Sequence, residues 1–212
     1  MTMKVVAIAG GVGSGKSHVA KILAGFLPAV VVDTDFIAKD VVRPGTELHD
    51  EIFRKLSVDP SAPEGRARIL AEVLPNPERR TWLEGKIFPA VAERVWSERT
   101  RLQRKGVRFM LCESALFGDP TLIDRHPSLA DFKFLFDAHV FVEADMAVRI
   151  KRVVSRNLTE EAARLLIATQ TNVFPIRWAG AGHRVDSSGS LGDDALRRCL
   201  LEVRDTLDGR TP

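Results

Sequence analysis

The clearest chemistry in the chain belongs to the run Gly10-Gly11-Val12-Gly13-Ser14-Gly15-Lys16-Ser17. Its pattern is G-x-x-x-x-G-K-S. Glycines at these places let the backbone curl with its N–H groups turned inward, which makes a nest for an anion. A helix starting where the run ends aims its positive pole at the same point. Lys16 has the reach for β- and γ-phosphates, and the Ser17 hydroxyl is a ligand for Mg²⁺. The residues expected to hold a nucleoside triphosphate are Gly11, Val12, Gly13, Ser14, Gly15, Lys16, Ser17 and His18. A glycine-rich turn with no ligand is the competing interpretation. It does not account for the flanks, an apolar branched run before the motif and helical spacing after it.

Three further groups have the right types for the same chemistry. Asp33-Thr34-Asp35 closes a short apolar run. A carboxylate there can accept a proton from a substrate hydroxyl or orient a metal-bound water. Alternatively, Thr34 or Asp35 caps a helix beginning at Phe36. Glu113 ends another apolar run, where a carboxylate could serve Mg²⁺. Arg149, Lys151, Arg152 and Arg156 form a basic cluster suited to one polyphosphate ligand. Arg152 and Arg156 are spaced i,i+4 and so share a helix face. Facing a triphosphate, they would neutralise the transferring phosphoryl group; otherwise they form a solvated helix face.

These groups need a frame, and the hydrophobic pattern supplies one. Val5–Ala9 reads as a buried parallel strand, Ala29–Val32, Val107–Cys112 and Ala138–Val142 as three more strands, and His183–Asp186 as a fifth. Helices are expected over Lys16–Phe26, Phe36–Val42, Glu64–Leu74, Asp145–Ser155 and Asp193–Leu207. Leu48, Ile52, Phe53 and Leu56 mark another helical face. Asn76-Pro77-Glu78 opens a long helix with an N-cap, a proline at the first position and an acidic first turn. Leu83, Ile87, Val91 and Val95 share its inner face, and Pro89 is expected to bend it. Thr159 caps a helix beginning with Glu160 and Glu161. Asp59 to Pro63 reads as a loop, Gly118-Asp119-Pro120 and Ser187 to Ser190 as turns, Thr171 to Gly182 as irregular and 208–212 as frayed.

The expected fold class is α/β, a P-loop NTPase-type five-stranded parallel sheet flanked by helices. In such a sheet, ligands gather beyond the carboxyl ends of the strands, where the glycine-rich run and the Asp pair both lie. Residues 1–35, 106–145 and 180–212 form the nucleotide-binding core. Residues 36–105 form a helical insertion, which by analogy of fold binds the phosphate acceptor. Residues 146–179 form the lid region.

Composition narrows the function classes. The chain has 212 residues, 45% of them hydrophobic, and a formal charge of +3 with basic and acidic residues interspersed. That is not the basic stripe of a nucleic-acid-binding protein. No apolar run approaches the ~20 residues of a membrane span, and residues 1–9 are too short for a signal peptide. A cytoplasmic location is expected. Cys112 and Cys199 give neither a disulfide framework nor a metal spacing and read as buried free thiols.

Taken in order, these segments resemble the dephospho-CoA kinase family over residues 4 to about 204. The resemblance rests on GGVGSGKS, on VVDTDFIAKDVVRPG, on LPNPERRTWLEGKIFP, on KRVVSRN with LTEEAARLLIATQ including Gln170, and on VDSSG. It implies transfer of the γ-phosphoryl group of ATP to the ribose 3′-hydroxyl of dephospho-CoA, with Mg²⁺. By motif position it implies Asp35 as the base, Asp33 beside the metal, Arg152 and Arg156 as lid arginines, and Arg66 on the acceptor. The implied partner is a small nucleotide, and the implied assembly is a monomer or small homo-oligomer. The chain departs from the family pattern at Phe88, usually histidine; at Cys112–Gly118, where a proline and a final glutamate are absent; at Ala181-Gly182; and at Ser187, usually asparagine. Two other functions stay open: a kinase for another nucleotide-like or nucleoside acceptor, and a relative that binds ATP without turnover.

Overall fold

In the computed structural model, residues 2–60, 64–73, 75–114, 126–173, 182–189 and 194–209 are described. The strands are β1 (Lys4–Ala9), β2 (Ala29–Asp33), β3 (Phe109–Ser114), β4 (Ala138–Glu143) and β5 (His183–Asp186). All pair in parallel, in the order β2-β3-β1-β4-β5. β1 is central and buried on both faces. That is why it reads as one continuous apolar run instead of an alternating one. Each fully buried aliphatic side chain contributes about 1.5–3 kcal/mol, so Val5, Val6 and Ile8 of β1 contribute heavily to the sheet's stability.

The two sides of the sheet are covered differently. Val6, Ile8, Phe109, Leu111, Val140 and Val142 face one side. There they meet Val19, Ala20 and Leu23 of α1 (Lys16–Phe26) and Leu196, Leu200, Val203 and Leu207 of the C-terminal helix Asp194–Asp208. Val5, Met110 and Cys112 face the other side. There they meet Ile37 of α2 (Thr34–Val41), Ala92, Val95 and Leu102 of the long helix Pro77–Arg104, and Leu129 and Leu135 of a 3₁₀ segment, Pro127–Leu135.

Between β2 and β3 the chain is helical, with α3 (Glu47–Lys55), α4 (Gly65–Val73) and α5, the long helix Pro77–Arg104. Asn76 caps α5, its Oδ1 accepting the Arg79 N–H at 3.0 Å. The helix runs on through Pro89. Its apolar face does not meet one surface. Trp82, Leu83 and Ile87 close a separate cluster with Ile52, Phe53, Leu56, Ile69 and Val73, while Phe88, Val91 and Val95 lie against the sheet.

After β4 come α6 (Met146–Val154) and α7 (Glu160–Val173), then β5 and α8 (Asp194–Asp208). Some boundaries differ from the sequence expectation. α2 starts at Thr34 instead of Phe36, β3 at Phe109 instead of Val107, and α7 carries Thr171 to Val173, expected to be irregular. The turn at Gly118-Asp119-Pro120, residues 61–63 of the expected loop, the rest of the irregular stretch to Ala181, Ser190, and residues 174–179 of the lid region lie outside the described residues. So do residues 210–212 of the expected frayed end.

Candidate active site

β1 ends at Ala9 and α1 begins at Lys16, with the glycine-rich loop between. Gly15 is the N-cap of α1, with φ +92 and no side-chain cap. The orphan N–H groups that open a helix are thereby presented to whatever lies before it. Gly13 has φ +78, and a side chain there would lie 2.6 Å from the Arg149 carbonyl oxygen, so the loop and α6 touch backbone to backbone. Val12 packs against Ile150 and Val153 of α6 and Ala163 and Ile167 of α7.

Lys16 is only 9% exposed, and its Nζ donates to the Gly11 carbonyl at 3.3 Å. Burial lowers its pKa, opposed by Asp35 and Glu113 and reinforced by Arg156 and Arg149. A cation held this way, with one weak internal acceptor, is placed to gain from an arriving anion. The Ser17 hydroxyl donates to Glu113 Oε1 at 2.6 Å. Glu113 is brought there by register. β3 lies between β1 and β2, and Glu113 pairs with Ile8 on one side and Asp33 on the other. Burial raises its pKa, opposed by the Ser17 hydrogen bond and by Lys16, with Asp33 and Asp35 adding to the rise.

Asp33 is the N-cap of α2, and its Oδ1 accepts from the N–H groups of Asp35 at 2.8 Å and Phe36 at 3.1 Å. Neither Thr34 nor Asp35 is the cap. Thr34 is buried and donates to the Glu113 carbonyl at 2.9 Å, which ties the start of α2 to the end of β3. Asp35 is then held in the first turn, its carboxylate open to the cleft. Its side chain is exposed to the solvent of the cleft, yet the surrounding walls desolvate it in part and raise its pKa; Lys16 pulls it down and Asp33 pushes it up.

α6 closes the other side. Arg152 Nη2 donates to the Ser187 carbonyl at 2.5 Å and Nη1 to Ser187 Oγ at 3.0 Å, with longer contacts to the carbonyls of Gly13 and Ser14. Ser187 is buried and its hydroxyl donates to the Ser14 carbonyl. Arg156 follows the end of α6 and sits in a turn. The expected shared helix face of Arg152 and Arg156 is therefore replaced by a helix residue and a turn residue bordering one space. That space is a cleft of about 380 Å³, lined by Lys16, Ser17, Asp35, Glu113, Arg152 and Arg156, with His18 and Lys21 at its edge.

The structure brings together the glycine-rich loop, Asp35, Arg152 and Arg156, as expected. Arg66 lies in α4, and its side chain, like that of Gln170, is outside the described residues. Glu113 was legible only as a carboxylate ending a strand; its bond to Ser17 spans 96 positions. Arg149 was legible only as a member of a basic cluster. Its Nε donates to the Val12 carbonyl at 2.9 Å.

A donor set of one serine hydroxyl, Glu113 and the phosphates of a nucleotide suits Mg²⁺, which keeps several waters and needs few protein ligands. Among the described residues no group of three or more His, Cys, Asp or Glu could hold a metal unaided. The residues thus fit a metal that arrives with its nucleotide.

The family model described as dephospho-CoA kinase matches residues 4–191. The dephospho-CoA kinase of Corynebacterium diphtheriae is 31% identical over 207 residues, covering 95% of this chain and 96% of that one. That of Leifsonia xyli is 34% identical over 197 residues, covering 89% and 92%. Among solved structures, a Thermus thermophilus protein aligns over the whole of both chains with a TM-score of 0.68 at 22% identity. A shikimate kinase from Bacteroides thetaiotaomicron aligns over 97% of this chain and 99% of that one, with a TM-score of 0.52 at 13% identity. At such identities the structural likeness shows the fold, that of the P-loop kinases.

Proposed function

The chain belongs to the dephospho-CoA kinase family, and from that premise we propose that its cleft transfers the γ-phosphoryl group of ATP to the ribose 3′-hydroxyl of dephospho-CoA, giving coenzyme A and ADP. The observation that carries this reading is the convergence of Lys16, Ser17, Glu113 and Asp35 on one cleft, from three separate stretches of the fold. The glycine-rich loop and α1 hold the triphosphate. Lys16 neutralises charge at the β- and γ-phosphates, and Arg156 adds to it from the opposite wall. Asp35 takes the proton of the acceptor hydroxyl as its oxygen bonds to phosphorus and the bond to the ADP oxygen breaks.

Ser17 and Glu113 would hold Mg²⁺, with Asp33 at the neighbouring strand end. When bound, the ion screens the negative charge of the β- and γ-oxygens. Residues 36–105 carry the acceptor in this reading, with Arg66 on α4 as a contact. In that region Phe88 stands where the family usually has histidine. Its ring packs edge-on against His126 with centroids 5.2 Å apart, and His126 Nε2 lies 2.9 Å from Glu84 Oε2. Residues 146–179 serve as the lid. A reaction between two soluble nucleotides fits the cytoplasm, and no described helix is long and apolar enough to cross a membrane.

The test is an acceptor screen with γ-labelled ATP across dephospho-CoA, nucleosides, nucleoside monophosphates and pantetheine compounds. Transfer to dephospho-CoA is expected to exceed the others in kcat/KM by roughly tenfold or more. Faster transfer to another acceptor would reassign the substrate, and ATP binding without transfer to any of them would make the chain a non-catalytic relative.

A further inference from the structure

The outer surface of the phosphate-binding loop is as closely built as the inner one. When a loop turns its N–H groups inward to an anion, its carbonyl oxygens must point outward, and each needs a partner. Ser187 and the loop's own residues partner some of them, and α6 supplies others. Arg149 Nε donates to the Val12 carbonyl at 2.9 Å, and one turn later Arg152 Nη1 reaches the carbonyls of Gly13 and Ser14, each at 3.4 Å. The Arg149 guanidinium also lies against Gly11. A methyl group there would stand 2.5 Å from Nη2 and 3.0 Å from Cζ. Unlike Gly13, Gly11 has no positive φ, and the atoms that a side chain there would meet belong to the Arg149 guanidinium, which it would push aside. The apolar contact of Val12 with Ile150 and Val153 fixes the same segment from the side.

We propose that Arg149 is a positioning residue for phosphoryl transfer: from outside the loop it holds the Val12 carbonyl outward, and so keeps the loop's N–H groups turned to the triphosphate. This rests on the reading of the loop as the ATP site and goes beyond it. A charge-assisted hydrogen bond to a carbonyl is stronger than a neutral one. It also preorganises the nest, so that ATP does not have to order it on arrival. Arg149 is not among the residues that line the cleft. Its effect should therefore fall on ATP affinity, while the acceptor side is spared.

The test uses two substitutions that differ at one atom's worth of chemistry. In Arg149→Gln the amide nitrogen takes the position of Nε, keeping a donor for the Val12 carbonyl while removing the charge. Arg149→Met keeps the stem and removes the donor. ATP·Mg²⁺ affinity is measured by calorimetry, with KM for ATP, KM for dephospho-CoA, kcat and Tm on the same preparations. Wild type and Lys16→Ala serve as controls. Arg149→Met should weaken ATP binding by roughly tenfold, raise KM for ATP in step, and leave KM for the acceptor and Tm close to wild type. Arg149→Gln should recover most of the loss. Wild-type ATP affinity in Arg149→Met would overturn the proposal. Equal loss in both variants would overturn it in favour of direct charge on the phosphates, and a fall in Tm with both KM values raised would reduce Arg149 to a packing role. If the wild type bound no ATP, or Lys16→Ala bound it as well as wild type, the loop assignment itself would fail, an outcome distinct from the others.

Discussion

In the proposed reaction Asp35 is the base that takes the acceptor's proton. Its first-turn position is set by Asp33, which caps α2, and by Thr34, which anchors the turn to β3. Partial desolvation by the cleft walls raises its pKa above the ordinary aspartate value, Lys16 opposes the rise, and Asp33 adds to it. A base must be ionised to accept a proton, so the raised pKa moves the acid limb of kcat/KM upward. Activity is full above the Asp35 pKa of the free enzyme and falls as pH drops through it. Asp35→Asn keeps the shape of the side chain and loses its basicity. It should bind ATP·Mg²⁺ within about twofold of wild type, lose roughly 10²- to 10⁴-fold in kcat, and lose the acid limb that Asp35 causes. Calorimetry and a pH–rate profile check this. A nearly silent mutant would leave Asp35 as only an acidic residue near a helix start.

At the scale of elements, α5 is the piece whose two ends do different jobs. Its first turns close the cluster of α3 and α4, and its later turns cover the sheet. The cap was legible in Asn76-Pro77-Glu78 because capping is local chemistry, and the structure shows it. The inner face was legible as a period of Leu83, Ile87, Val91 and Val95. Which partner each residue meets was not, because periodicity gives direction without giving the neighbour. Asn76→Ala removes the acceptor for the Arg79 N–H and should cost about 1 kcal/mol, lowering Tm by about 2–4 °C in a chain of this size. KM for ATP should not change, since the cap borders the helical insertion and not the cleft. Thermal denaturation and steady-state kinetics on one preparation decide it. A shift in KM for ATP with Tm unmoved would mean that α5 enters the nucleotide site.

Across the whole molecule, the sheet order is what converts scattered residues into one site. With β3 and β1 adjacent, the end of β3 delivers Glu113 to Ser17, and β2 on the far side of β3 delivers Asp35. The contiguous glycine-rich loop was readable because its mechanism needs consecutive residues. Glu113 was read as a carboxylate that could serve Mg²⁺ and Arg149 as one of a basic cluster, but their partners Ser17 and Val12 were not readable, because each lies across a distance in sequence that only strand register or helix docking closes. The same logic holds for Arg152. It was read as a charge for the transferring group, and the structure bonds it to Ser187, 35 positions away, and to the back of the loop. The central claim is that this assembled cleft phosphorylates the ribose 3′-hydroxyl of dephospho-CoA. The most direct measurement incubates the wild-type protein with γ-labelled ATP, Mg²⁺ and dephospho-CoA, and locates the new phosphate in the product by phosphorus NMR. The account predicts a single product that is coenzyme A, with the label on the 3′-oxygen and one ADP released per transfer. Label at any other position, or ATP consumed with dephospho-CoA unchanged, would contradict it.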